Sequence, residues 1–525
     1  MDDLWAVKSE KSNIGEGMIP MSQNRSKISF LNAVTAMAMT LVNGLLGIVV
    51  TRLVIESFGS DFNGVNSTAN QIVNVLLILE GGFTMASNVA LFSPLTRRDY
   101  ELVNGVLSAT RKKFRQIGVF FLAVSIGVSV AYGFAVNSAL PSEFVTTVIL
   151  MAILPAAFNL FYATTYRVLL QTQQKEYVIN IITIITLVLG HLSNIIMITM
   201  DGPMWLVRFN TMVFSLINSL LIVFYVRRTT IFLDMSVQPR ADLIKGTRDV
   251  MIQKITGVIY NSAPIVFLSI SPSGGTLLAS VYAVYNNVFT MLKSLLHGII
   301  DAPRLSFGQM LTEKDRDEVW PVFALYEYAA FVAVFVMLTT CCALIMPFIK
   351  LYMNGITDAN YFDMTISVFM LFITGMEMIH IPSGHLINMA GEFKISKNFQ
   401  LISCIVLVCG MAIGGSIWGI YGMLSAILMV AVLLAVLEMG FVHTCFFNGK
   451  LSELLRMLLP LLVASVFLGI VEIKINLMIN GFISFVAYGI LFLCVNGLIA
   501  TALGIIFNRQ GFSSLIKRFM QLIYR

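Results

Sequence analysis

From about residue 28 the chain is a succession of continuous apolar runs separated by short polar connections. A helix needs about 20 mostly apolar residues to cross the hydrocarbon of a bilayer, and fourteen runs meet that length. They are expected at 28–52, 66–92, 116–137, 144–166, 177–200, 204–226, 249–270, 276–300, 321–348, 362–386, 398–418, 421–444, 456–473 and 480–507. Because the runs are continuous and do not alternate residue by residue, helices are expected and a membrane β-barrel is not. The predicted fold class is thus an all-α polytopic membrane protein. The longest connections, 93–115, 227–248 and 301–320, hold amphipathic stretches expected to lie as helices along the membrane surface.

Composition agrees, since 57% apolar against 12% charged residues over 525 positions excludes a soluble protein. Charge adds an orientation. With the polar tail before residue 28 placed in the cytoplasm, all but five of the 34 Lys and Arg fall on that side. Arg52, Lys350 and Lys474 fall on the other side, and Arg208 and Lys293 lie inside spans. This bias is the positive-inside pattern, and it predicts an even number of spans with both termini cytoplasmic. The basic excess therefore belongs to membrane orientation, and nucleic acid is not expected as a partner. No external connection exceeds about 15 residues, which leaves no room for a catalytic domain. No phosphate-binding loop or zinc-type histidine pair occurs either, so neither an enzyme nor a cofactor or metal is expected. The six cysteines lack paired spacing and are expected to be buried apolar residues.

One internal offset recurs. A shift of 216 residues brings Asn70 onto Asn286 in spans two and eight, and 96–103 onto 312–319 just after them, with Thr, Asp and Val in common. The expected organisation is a cytoplasmic tail (1–27), a first six-span lobe (28–226), a linker (227–248), a second six-span lobe (249–444), and two extra spans with a cytoplasmic tail (445–525).

Polar side chains within spans avoid lipid and turn to the bundle interior or a watery cavity. At 100° per residue, Asn66, Asn70, Asn74, Glu80, Thr84 and Asn88 share an arc of about 120° on span two. Tyr282, Asn286, Thr290, Lys293 and His297 share one of about 80° on span eight. These stripes are candidate cavity walls, with interhelical hydrogen bonding as the plainer alternative. Lys293 is the preferred functional cation. Glu80 is a candidate for ion coupling, with a protonated acid or a structural pair as alternatives. Glu377, His380, Pro382 and His385 on span ten form either a hinge or a proton relay, and His191, Arg208, Glu327 and Glu438 need no more than ordinary intramembrane partners.

The stretch Thr51-Arg52-Leu53, Phe58-Gly59 and Asp61-Phe62-Asn63-Gly64, followed by Leu77-Ile78-Leu79-Glu80-Gly81-Gly82 and Asp99-Tyr100-Glu101, resembles the signatures of bacterial polysaccharide-biosynthesis flippases. These form a branch of the multidrug/oligosaccharidyl-lipid/polysaccharide exporter superfamily. The resemblance implies two six-helix lobes around a central cavity. It also implies transfer of an undecaprenyl-pyrophosphate-linked oligosaccharide from the inner to the outer leaflet of a bacterial plasma membrane. Membrane lipids and other polysaccharide-assembly proteins are the partners it implies. Arg52 lies within the resembling motif and is a candidate contact near release, alongside Lys293, Asn286, His297, Tyr282, Asn70 and Asn74 in the cavity. A multidrug or cation antiporter of the same superfamily is the alternative, and a membrane-embedded glycosyltransferase or polymerase a more distant one.

Overall fold

The computed structural model describes residues 21–523 apart from 245–247, 273, 302, 476, 478 and 480. The tail before residue 21 lies outside the described residues. The chain forms α1 (Met21–Leu76), α2 (Ile78–Arg97), α3 (Tyr100–Ala135), α4 (Ser142–Phe158), α5 (Thr164–Thr172), α6 (Glu176–Thr199), α7 (Met204–Thr229), α8 (Arg248–Ile270) and α9 (Gly275–Ile300). The second part continues with α10 (Arg304–Glu313), α11 (Arg316–Tyr352), α12 (Met364–Ile379), α13 (Ile381–Met389), α14 (Phe393–Phe441), α15 (Leu451–Ile473), α16 (Phe482–Phe507) and α17 (Arg509–Ile523). Among the described residues no strand occurs.

The expected spans fall on helical segments. Span one is α1 up to Gly59, where the helix breaks at φ 86°, and span two is the rest of α1 with α2. Spans eleven and twelve are the two arms of α14, bent at Trp418 and Gly419. Ten helical stretches of the described chain are long and apolar enough to cross a membrane, and two of these contain the bends just named. α9 is not one of the ten, because Asn286, Asn287, Lys293 and His297 dilute its apolar character. It is held instead between the two parts of the protein, packed on α1 and α8. Lipid-facing surfaces are legible in the exposures: Ile181, Ile185, Leu189, Leu192 and Ile196 form an exposed stripe on α6, opposite buried Asn180 and Asn194.

Helix partnerships repeat along the chain. α1 packs on α6 as α8 packs on α14, α3 on α4 as α11 on α12, and α4 on α7 as α12 on α14. Single bonds repeat as well: Asn180 donates to Thr35, 145 residues away, and Thr256 donates to Gln400, 144 away. α15 and α16 pack on α11, at the edge of the second half.

Two expectations change. Residues 100–115 do not lie on the membrane surface as a separate helix; they are the first turns of α3 and bury Val103, Val106, Leu107 and Phe114. What covers them is the linker. Asn104 donates to the Phe232 carbonyl at 2.7 Å, the Arg240 N–H donates to the Gly105 carbonyl at 3.0 Å, and Phe232 stacks on Tyr100. The linker up to Arg240 is thus fastened to the first half. The cysteines are free, and Cys409, Cys445 and Cys494 stand at exposed positions where burial was expected.

Candidate functional site

A cavity of about 390 Å³ lies within the second half, between α8, α9, α12 and α14. Its polar wall comes from one face of α9, because Thr290, Lys293 and His297 recur at intervals of three and four. Across from it, the Lys293 ammonium pairs with Glu377 of α12 at 3.1 Å, and Tyr260 of α8 donates to the other Glu377 oxygen at 2.6 Å. Both charged side chains are less than one-fifth exposed. Lys293 is seven residues from the end of α9 at Ile300, about 10 Å at the α-helical rise, so the cavity is nearer the end of the bundle where basic residues gather.

Span ten is interrupted at His380, between α12 and α13, where Pro382 at the start of α13 cannot continue the ladder. The break turns His380 toward Glu438 of α14 at 2.8 Å, and a Cβ at Gly384 would come within 2.6 Å of the same carboxylate. Further toward the basic end, His443 meets Glu327 at 2.9 Å with neither exposed, and Ser383 donates to that carboxylate. His297 and His385 both approach Asp301, at 3.2 and 3.5 Å. Each of these carboxylates therefore has a basic partner on a different turn or helix.

The first half is different. Its cavity, about 200 Å³ between α6, α7 and the π-helical turn after α4, is lined by Asn159, His191, Asn194, Thr211 and Asn218. Two guanidiniums stand beside this region, that of Arg208 buried and that of Arg167 partly buried. Arg208 donates to Asn66 at 2.8 Å and to Asn70 at 3.0 Å, and Arg167 donates to Asn218 at 2.7 Å. Among the described residues neither pairs with a carboxylate, and the Nε of each lacks a partner. Glu80 accepts from Thr84, one turn on, at 2.9 Å.

The end of the bundle away from the basic residues is closed by a reciprocal latch. Gly59 (φ 86°) and Gly275 (φ 57°) both adopt left-handed backbone available at low cost to glycine, and they are 216 residues apart. Each opens a helical arm whose next N–H reaches into the other half. The Ser60 N–H donates to Asp358, in the connection between α11 and α12, at 2.6 Å. The Thr276 N–H donates to the Asn137 carbonyl, in the connection between α3 and α4, at 3.0 Å. Around them Tyr361 hydrogen-bonds both Ser60 and Ser280, Asn63 donates to Ser280, and Asp61 accepts from Thr276, Ser138 and the Ala139 N–H. The seam is tight, since a Cβ at Gly64 would come within 1.8 Å of the Thr276 carbonyl oxygen.

The residues singled out from sequence thus divide. Lys293 and His297 share the charged cavity, while Tyr282 is buried above it in the core of the second half and Asn286 is half-buried on the same face of α9. Asn70 binds Arg208, and exposed Asn74 donates to Gln71, which accepts from Ser262 of α8. Arg52 is at the latched end, where it donates to the last carbonyls of α11, Leu351 and Tyr352, and to Asn354, so it is not in the cavity with Lys293. Glu377, Glu438, Arg167 and Asp358 complete these constellations and were missed as partners. The Gly59 and Gly275 pair, at the same 216-residue offset, is the signal that marks the latch in the sequence.

No family model and no curated protein matches the chain by sequence. Solved structures do match its fold. The lipid II flippase MurJ in an inward closed conformation superposes with a TM-score of 0.63 at 13% identity, over 90% of this chain and 98% of that one. Inward-facing and outward-facing conformations of a multidrug resistance MATE family transporter of the MOP superfamily give TM-scores of 0.58 and 0.57, each at 13% identity. They cover 81% and 82% of this chain and 98% and 95% of the other. The chain has the fold of these multi-pass transporters.

Proposed function

We propose that this protein is a flippase that carries a polyprenyl-pyrophosphate-linked oligosaccharide from the inner to the outer leaflet of a bacterial plasma membrane. The reading is one of alternating access, with residues 28–226 and 249–444 moving as two lobes. The observation that carries it is the reciprocal latch at one end of a pseudo-symmetric bundle whose charged cavity lies toward the other. Contacts exchanged between halves can be broken together by a rotation of one half against the other. Shared fold with a flippase and with a transporter supports the class. For the cargo, the support is electrostatic. A pyrophosphate needs cations inside the membrane, and Lys293, Arg167 and Arg208 supply them. Glu377 on the cavity wall and Glu438 behind His380 would favour a cationic drug, but Glu377 is occupied by Lys293 and Glu438 by His380, which ranks the antiporter reading second.

Two binding measurements separate these readings. Purified protein should bind geranylgeranyl pyrophosphate and not a cationic dye such as ethidium; the opposite preference would favour the antiporter. In a host deleted for its own flippase, the protein should restore surface polysaccharide.

The basic end is assigned to the cytoplasm. Single cysteines at 140 and 356 should therefore be labelled by an impermeant thiol reagent from outside the cell, and those at 237 and 310 only after the membrane is opened. Inverted labelling at two adjacent connections would remove a span. Asn70 and Asn286, expected at equivalent places facing the central cavity, should react as cysteines with a water-soluble thiol reagent in at least one transport state. Protection of both throughout the cycle would reject the cavity assignment.

A further inference from the structure

The Lys293–Glu377 pair poses a problem for an anionic cargo. The ammonium that should receive the phosphate already holds a carboxylate at 3.1 Å, on the wall of the cavity the cargo would enter. A phosphate cannot take that ammonium and leave Glu377 charged at no cost, because the Glu377 side chain is only 13% exposed and an unpaired carboxylate there is strongly disfavoured. Among the described residues that line the cavity there is no other lysine or arginine, and His297 is engaged with Asp301. Lys293, Tyr282 and His297 come from α9, Tyr260 from α8, and His380, on Glu377's own span, is engaged with Glu438 of α14.

We infer that Lys293 and Glu377 form an exchange site in which cargo binding is linked to uptake of a proton. The balance is simple. An anionic phosphate oxygen replaces the Glu377 carboxylate as partner of the ammonium, and the released carboxylate takes one proton from water in the cavity. The neutral acid keeps the hydrogen bond from Tyr260, and the proton taken up offsets one of the negative charges that the pyrophosphate brings into the site. On release the acid returns its proton to water and the ion pair re-forms. By linkage, a cargo whose binding takes up one proton binds about tenfold less tightly for each unit of pH rise.

The inference rests on the proposed anionic cargo, and one titration tests the two separately. Geranyl pyrophosphate is titrated calorimetrically into the purified full-length protein between pH 7.5 and 9, in buffers of different ionisation enthalpy. The expected result is uptake of one proton per ligand bound, with Glu377→Gln binding about tenfold more tightly at pH 7.5 and taking up none. Tight binding by the wild type without proton uptake overturns the exchange and leaves the flippase reading standing. Uptake that persists in Glu377→Gln also overturns it, by assigning the proton elsewhere. Absence of binding rejects the anionic cargo itself, and the exchange with it. The wild-type stoichiometry needs no variant, so a Glu377→Gln protein that fails to fold does not remove the test.

Discussion

Lys293→Glu is expected to lower export roughly tenfold or more, the factor that follows from losing as little as about 1.4 kcal/mol of binding. The substitution deletes the cation and sets a second carboxylate against Glu377, within a pair that is mostly shielded from water. Breaking a buried pair by removing one partner costs about 3–5 kcal/mol, so membrane abundance must be measured with export. Lys293→Arg retains the charge and is expected to keep partial function, because a planar fork does not reproduce a compact ammonium. Lys293→Gln should lose export while staying folded. Combining Lys293→Glu with Glu377→Lys restores an ion pair but moves the cation to the opposite wall. Full export by this double variant would show that the pair serves folding alone, and full export by a well-expressed Lys293→Glu protein would remove Lys293 from the cargo path.

The second large effect is expected at the latch. Asp358→Ala removes the acceptor shared by the Ser60 N–H and hydroxyl. Hydrogen bonds to a charged acceptor are worth about 1.5–3 kcal/mol when shielded, and Asp358 is exposed, so about 1 kcal/mol is the expected shift toward opening at this end. That is roughly a fivefold change in population. It should appear as faster labelling of a cysteine at Ser280, which is fully buried in the closed seam. The converse is stronger. Asn63 and Ser280 touch across the seam at 2.7 Å, so cysteines there, joined by a short reducible bifunctional thiol reagent, should stop export and regain it on reduction. Undiminished export with the bridge in place would mean that this end does not open.

Much of the architecture was legible because the bilayer imposes a length and a charge bias that single residues obey. The 34 basic positions separate the connections, and the apolar runs supply the helices. The stripes on spans two and eight were legible as polar arcs, but an arc does not name what it faces. Asn66 and Asn70 hold the guanidinium of Arg208, a partner on span six 138 or more residues away. Lys293 could be ranked by its cost in lipid, whereas Glu377 is 84 residues away and could be paired with it only once α9 and α12 were placed side by side. The break at His380 followed from Pro382, and the bend of α14 at Gly419 falls in the gap expected between 418 and 421; the meeting of His380 with Glu438, 58 residues away, depended on how the two helices pack. Arg52 lay within a recognisable motif, yet its carbonyl partners at the end of α11 are 299 or more residues away.

The fastening of the linker to α3 bears on how the protein is made. By the time residue 240 has left the ribosome, every helix up to α7 has been synthesised, and the segment that closes over Gly105 is already available. The first half can then complete its basic face before α8 is inserted, so that the second half is threaded against a finished template. A valine at Gly105, whose side chain would begin 2.9 Å from Arg240 Cγ, would leave that face uncovered during insertion. Its effect should therefore be seen in the yield of inserted protein and its sensitivity to membrane proteases, more than in the transport rate of the molecules that mature.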